Sequence, residues 1–141
     1  MFSAEHIHPM VVHFPIALII SGYLAEVTHL FIKKEPVLKE FHFWLLAAGS
    51  LSAFAAYFSG AFLTSTVPPE ATAVYSRHEL FAELTVFTTL VNTALMLYLK
   101  LEKKDETRLK WLAFALNTIT VILLFITGHN GGVLVYDYLL K

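Results

Sequence analysis

The chain has 141 residues, enough for one domain, of which 57% are apolar and only 15% charged. Soluble domains carry about 25% charged residues, so a mean hydropathy of +0.64 points away from that class. A net charge of −1 gives no electrostatic basis for nucleic-acid binding, and the lack of cysteine excludes disulfides, thiolate-held iron–sulfur clusters and covalently attached c-type haem.

The few charges leave four long gaps. From Pro9 to Ile32 the only formal charge is Glu26, and none occurs between Glu40 and Glu70. From Leu80 to Leu99 there is only Glu83, and from Trp111 to Tyr136 none. Each gap reaches the roughly 20 residues that cross a bilayer core as a helix. A soluble bundle would carry a polar stripe along each helix, and FHFWLLAAGSLSAFAAYFSGAFLT has none. The expected architecture is all-α: an integral membrane four-helix bundle forming one domain over 1–141. Its helices are predicted near 9–32, 41–64, 78–100 and 108–128, with an outer interfacial tail over 129–141.

The first helix opens in HPMVVHFPIAL. Pro9 suits the first helical position, which makes His8 the N-cap. His13 lies roughly 6 Å deeper at 1.5 Å per residue. Pro15 removes the bond to the carbonyl of Val11 and loosens the helix beside His13. An ionisable side chain at that depth is a functional candidate, here a neutral imidazole ligand. The structural alternative is a polar side chain bonding a neighbouring backbone. Glu26, His29 and Lys33 line one face at the far end and read as an interfacial cluster.

In the second helix Ala48, Ser52, Ala56 and Gly60 recur every four residues. That face admits another helix closely, or a flat porphyrin. The third helix begins in Ser76-Arg77-His78-Glu79, an S-x-x-E capping box that places His78 in the first turn. There the helix dipole disfavours imidazolium, and neutral imidazole is the metal-binding form. Arg77 is an interface anchor or the partner of a carboxylate such as a haem propionate. Glu79 and Glu83 share a face one turn apart, and Glu83 needs a polar partner, for which the histidines are candidates. In the fourth helix Gly128 reads as a stop, with His129 in the turn that follows. Gly131 and Gly132 would let backbone approach a flat ligand. VLVYDYLL is then an interfacial segment and not a fifth span. No phosphate loop, nucleophile–base arrangement or H-E-x-x-H occurs, so hydrolytic chemistry has no support.

Lys33, Lys34 and Lys39 lie on the first connector, and Lys100, Lys103, Lys104, Arg108 and Lys110 on or beside the third. The opposite side keeps only Arg77 and Lys141. The positive-inside bias makes the basic connectors cytoplasmic and places both termini outside, in the periplasm of a bacterial inner membrane. Trp44 and Trp111 then sit at the inner interface. The first basic residue is Lys33, so no basic n-region precedes the first apolar run, which is expected to be retained. Of the seven histidines, His6, His8, His13, His78 and His129 converge on the outer layer, while His29 and His42 fall at the inner ends.

HPMVVHFPIAL, the YFSG element of the second helix, a histidine at the third and G-H-x-G-G-x-L-V-Y at the end resemble the bacterial domain-of-unknown-function family 2231. The resemblance spans essentially the whole chain and implies a small four-helix membrane protein. Some members are joined to cytochrome-c-like domains, which implies electron transfer. The family's motif histidines match His8, His13, His78 and His129. Members often continue after L-V-Y with a histidine and a glycine, whereas Asp137, Tyr138 and Leu139 follow Tyr136 here.

Three functions are compatible with these residues. The leading one is a b-type cytochrome that holds haem between two axial histidines near the outer face, His13 with His129 or His78, supported by His8 and Arg77. It would pass single electrons between a quinol and a periplasmic redox protein. The second is a non-haem Zn, Cu or Fe site using His8, His13, His78 or His129 with Glu79 or Glu83. The third is a cofactor-free subunit or carrier. The expected partners are the lipid bilayer, a quinol or periplasmic redox protein, and a second copy of the chain in a homo-oligomer. Nucleic acid is not among them.

Overall fold

The structure, a computed structural model, describes residues 7–63, 67–104 and 107–139. His6 and Lys141 lie outside the described residues. Helix α1 (Ile7–Val11) is followed by α2 (His13–Val27), which ends in a π-helical turn, Thr28–Ile32. The break at Val12 is the work of Pro15, whose ring crowds the carbonyl of Val11 and offers it no hydrogen. Helix α3 covers Pro36–Leu63, α4 covers Thr72–Leu101 after a 3-10 turn at Pro69–Ala71, and α5 covers Leu109–Val133. A second π-helical turn, Leu134–Leu139, extends α5.

Four of the expected helix ends move. His8 lies inside α1 rather than capping it, so its role as N-cap is corrected. Helix α3 starts at Pro36, because proline at the first position pre-sets the helical φ and lets PVLKE join the span. Pro69 does the same for the turn that leads into α4. Ser76 and Glu79 therefore sit within a helix already formed and cap nothing. Gly128 does not stop α5, so the 129–141 segment is not a separate tail as far as Leu139. A helical glycine costs only about 1 kcal/mol. Apolar surroundings offer the backbone no other hydrogen-bond partner, so the helix continues.

Helices α2 and α3 form one tight antiparallel hairpin and α4 and α5 another, with α3 against α4 and α2 against α5 closing the bundle. The first hairpin closes over glycines. A Cβ on Gly49 would lie 2.7 Å from Cγ1 of the buried Ile19, and one on Gly22 would lie 3.2 Å from Leu45 Cβ. The buried small-residue row of α3 is Gly49, Ala53 and Ala56, leading to Gly60. It keeps Ala56 and Gly60 of the expected row but replaces Ala48 and Ser52 by their neighbours Gly49 and Ala53, and Ala48 is exposed.

Four segments are long and apolar enough to cross a membrane: His8–Ile32, Pro36–Phe62, Pro69–Leu101 and Leu109–Tyr138. The distribution of polarity agrees. Phe14, Leu51, Phe62, Phe87 and Phe125 face outward, while Glu26, His42, Thr85, Thr89, Asn92, Asn117 and Thr120 are buried. A soluble protein does the reverse. One end of the bundle carries His8, Gly60, His78 and Gly131. The other carries Lys34, Lys39, Lys100 and Lys110, with Trp44 exposed beside it and Trp111 packed on Phe31 at 6.1 Å. Replacing Gly49 by Val forces Ile19 off its seat. We expect a loss of about 1–3 kcal/mol, read as an earlier thermal transition of the purified chain in detergent, whereas Ala48→Val is near neutral.

Candidate functional site

At the histidine end two imidazoles are held in the same way. His78 sits in the second turn of α4, and its Nδ1 donates to the carbonyl of Thr127 on α5 at 3.0 Å. A carbonyl only accepts, so Nδ1 carries the hydrogen and Nε2 keeps the lone pair. His8 Nδ1 lies 2.9 Å from Ser59 Oγ on α3, and Ser59 gives its own hydrogen to the carbonyl of Ala56 at 2.7 Å. His8 Nδ1 is therefore also the donor, and its Nε2 also keeps the lone pair. Each ring rests on a glycine. A Cβ on Gly60 would lie 2.9 Å from His8 Cε1, and one on Gly131 would lie 3.1 Å from His78 Cε1. The two histidines come from different helices.

The other expected site residues are placed differently. His13 is exposed and its Nδ1 bonds the carbonyl of Pro9 at 2.6 Å, within its own turn. His129 is exposed on α5, and Arg77 and Glu79 are exposed on α4. Glu83 accepts a hydrogen bond from Tyr57 on α3 at 2.9 Å, so its polar partner is a tyrosine and not a histidine. Among the described residues, no group of three or more His, Asp or Glu side chains is placed to hold one metal ion.

A second polar group lies toward the basic end, inside the bundle. Each span contributes one side chain: Glu26, His42, Asn92 and Asn117, at 6%, 2%, 0% and 0% exposure. Asn117 Nδ2 donates to Glu26 Oε2 at 2.6 Å. His42 Nδ1 donates to the carbonyl of Gly22 at 3.2 Å, and its Nε2 lies 3.5 Å from Glu26 Oε1. Both amide atoms of Asn92, Asn117 Oδ1 and His42 Nε2 have no hydrogen-bond partner among the described residues. Between the two polar groups, threonines bond the carbonyl one turn back and meet across α4 and α5, Thr85 with Thr127 and Thr88 with Thr120, at 3.2 Å each.

The model of a family described as predicted membrane proteins, DUF2231, matches residues 4–141. The chain belongs to the DUF2231 family. Neither a curated protein nor a solved structure matches it. In this DUF2231 chain the motif elements resolve into working parts. The serine and glycine of YFSG are the hydrogen-bond partner and the seat of His8. A glycine of the closing motif, Gly131, is the seat of His78. Sequence reasoning missed Ser59 and Thr127 as partners, and it missed the buried group around Glu26 apart from Glu26 itself. The signal for that group was present: each apolar span carries one of these polar side chains, Glu26, His42, Asn92 or Asn117.

Asn117→Leu leaves the buried Glu26 Oε2 without its amide donor. We expect about 1–3 kcal/mol of lost stability by thermal unfolding in detergent. Ser52→Ala, whose hydroxyl bonds only its own helix at Gly49 O (2.9 Å), should change little.

Proposed function

We propose that this DUF2231 protein carries haem b at its histidine end and passes single electrons across that face of a bacterial inner membrane. The observation that carries this reading is that both rings are tied through Nδ1 to a neighbouring helix. His8 and His78 each spend Nδ1–H on a neighbouring helix and keep an Nε2 lone pair, the arrangement that orients an imidazole ligand and raises its basicity. His8 and His78 are the residues that would hold the haem iron. The pairs favoured by sequence use His13, which faces outward and bonds its own turn. Two imidazoles suffice for haem, which fits a donor set that does not gather three metal-binding side chains.

The chain's own residues hold the ligands and exclude alternatives. Ser59 and Thr127 fix which nitrogen is protonated, and Gly60 and Gly131 let each ring lie against backbone. Held by these two residues, haem iron would supply one-electron exchange. Arg77, exposed one residue before His78, is the cation this reading pairs with a propionate. A quinol and a periplasmic redox protein are the donor and acceptor this reading implies. The positive-inside bias supports both termini outside, with Lys34, Lys39 and Lys110 at the cytoplasmic face.

Two measurements test the reading. Chain expressed with ample haem and purified in mild detergent should show a sharp Soret band and, after dithionite, a narrow α band. His8→Ala and His78→Ala should abolish the low-spin spectrum, while His13→Ala keeps it. A featureless spectrum overturns the haem assignment. The chain has no cysteine, so single cysteines report sidedness directly. A membrane-impermeant maleimide added to intact cells should label Ala73→Cys and leave Thr107→Cys unlabelled until the cells are opened. The reverse pattern inverts the topology.

A further inference from the structure

Toward the basic end, two hydrogen-bond acceptors face each other inside the bundle. His42 Nδ1 carries the hydrogen it gives to Gly22, so Nε2 presents a lone pair to Glu26 Oε1 at 3.5 Å. An ionised carboxylate and a neutral imidazole in that geometry repel, and low dielectric strengthens the repulsion. One added proton turns it into a charge-assisted hydrogen bond. Asn117 already donates to the other carboxylate oxygen, and the unpartnered amide of Asn92 lies at the level of Asn117 on the neighbouring helix.

A cavity of about 260 Å³ joins this pair to the basic end. Its walls include Glu26 and His42 together with Lys34, Lys110 and the apolar Leu30. A water molecule occupies about 30 Å³, so the cavity has room for a chain of them. We propose that Glu26 and His42 form a buried proton-binding site, holding one proton between Oε1 and Nε2 and exchanging it with the basic face through this cavity. The site is separate from the histidine end and does not depend on bound haem.

The titratable groups facing the pair set its capacity. The π-helical turn after α2 contributes His29 and the connector Lys34, α3 contributes Lys39, and α5 contributes Lys110. Helix α4 contributes no charge to the cavity, only Met96 and Leu99. Its Lys100 instead pairs with Glu40 at 2.6 Å. The surrounding positive charge opposes a second proton, so the site takes one and not two.

Infrared titration of the whole purified chain, with 15N-histidine NMR alongside, tests this. Wild type should show the Glu26 carboxyl and His42 imidazole signals changing together in one reversible step. Glu26→Gln should lose the carboxyl signal and move the His42 titration, and His42→Gln should move the Glu26 signal. Should Glu26→Gln fail to fold, 13C-glutamate-labelled wild type compared with His42→Gln assigns the band instead. An ionised Glu26 beside a neutral His42 at neutral pH overturns the site. Leu30→Trp, which fills the cavity, should slow exchange of the carboxyl signal into D2O. Unchanged exchange overturns the cavity as the route.

Discussion

Hydrocarbon offers a polypeptide no hydrogen bonds, and this constraint organises the molecule. Every backbone N–H and C=O must be satisfied within the chain, so four long helices follow from four long apolar runs. The same constraint turns the polar side chains inward. Threonines of α4 and α5 bond the carbonyls one turn back along their own helices, and the carboxylate of Glu26 finds an amide on α5. The result is a bundle whose interior is more polar than its surface. Within that interior, a polar atom left without a partner points to something it binds.

Close approach of helices is the second organising feature, and glycine provides it in two different ways. Gly22 and Gly49 bring α2 and α3 together so that Ile19 packs against backbone. Gly60 and Gly131 instead make room for imidazole rings belonging to neighbouring helices. A ring seated on a glycine, with Nδ1–H tied to the same neighbour, has both its orientation and its tautomer set. His8 and His78 share this arrangement, although nothing in their local sequences is alike. His13 lacks it, because its nearest acceptor is its own preceding turn at Pro9.

Much of the fold was legible in the residues. The charge gaps located all four spans, and the break at Val12 followed from the missing hydrogen of Pro15. The helix ends were less legible. Gly128 and the Ser76–Glu79 pattern carry meanings learned from water, where a glycine ends a helix and a serine caps one. In apolar surroundings the helix continues, since stopping would strand carbonyls. The site was half legible. Its histidine-rich end was visible from topology, but which histidines face inward depends on helix rotation. A one-position shift along α3, from Ala48 to Gly49, separates the lipid face from the packed face. Glu26 drew attention as the lone charge of the first span. Its partners Asn117 and His42 lie on helices far away in sequence, and no local pattern joins them.

The sequence by itself determined the medium, the number of passes and the end to which each described histidine belongs. Those properties follow from hydropathy and helical rise, which are sums over residues. Only the tertiary structure decided that His8 and His78 share a geometry while His13 and His129 face outward. It also decided that Glu26 meets His42 and Asn117 inside the bundle. Such pairings depend on the rotation of each helix about its axis, and that rotation is set by where the glycines of one helix let another approach.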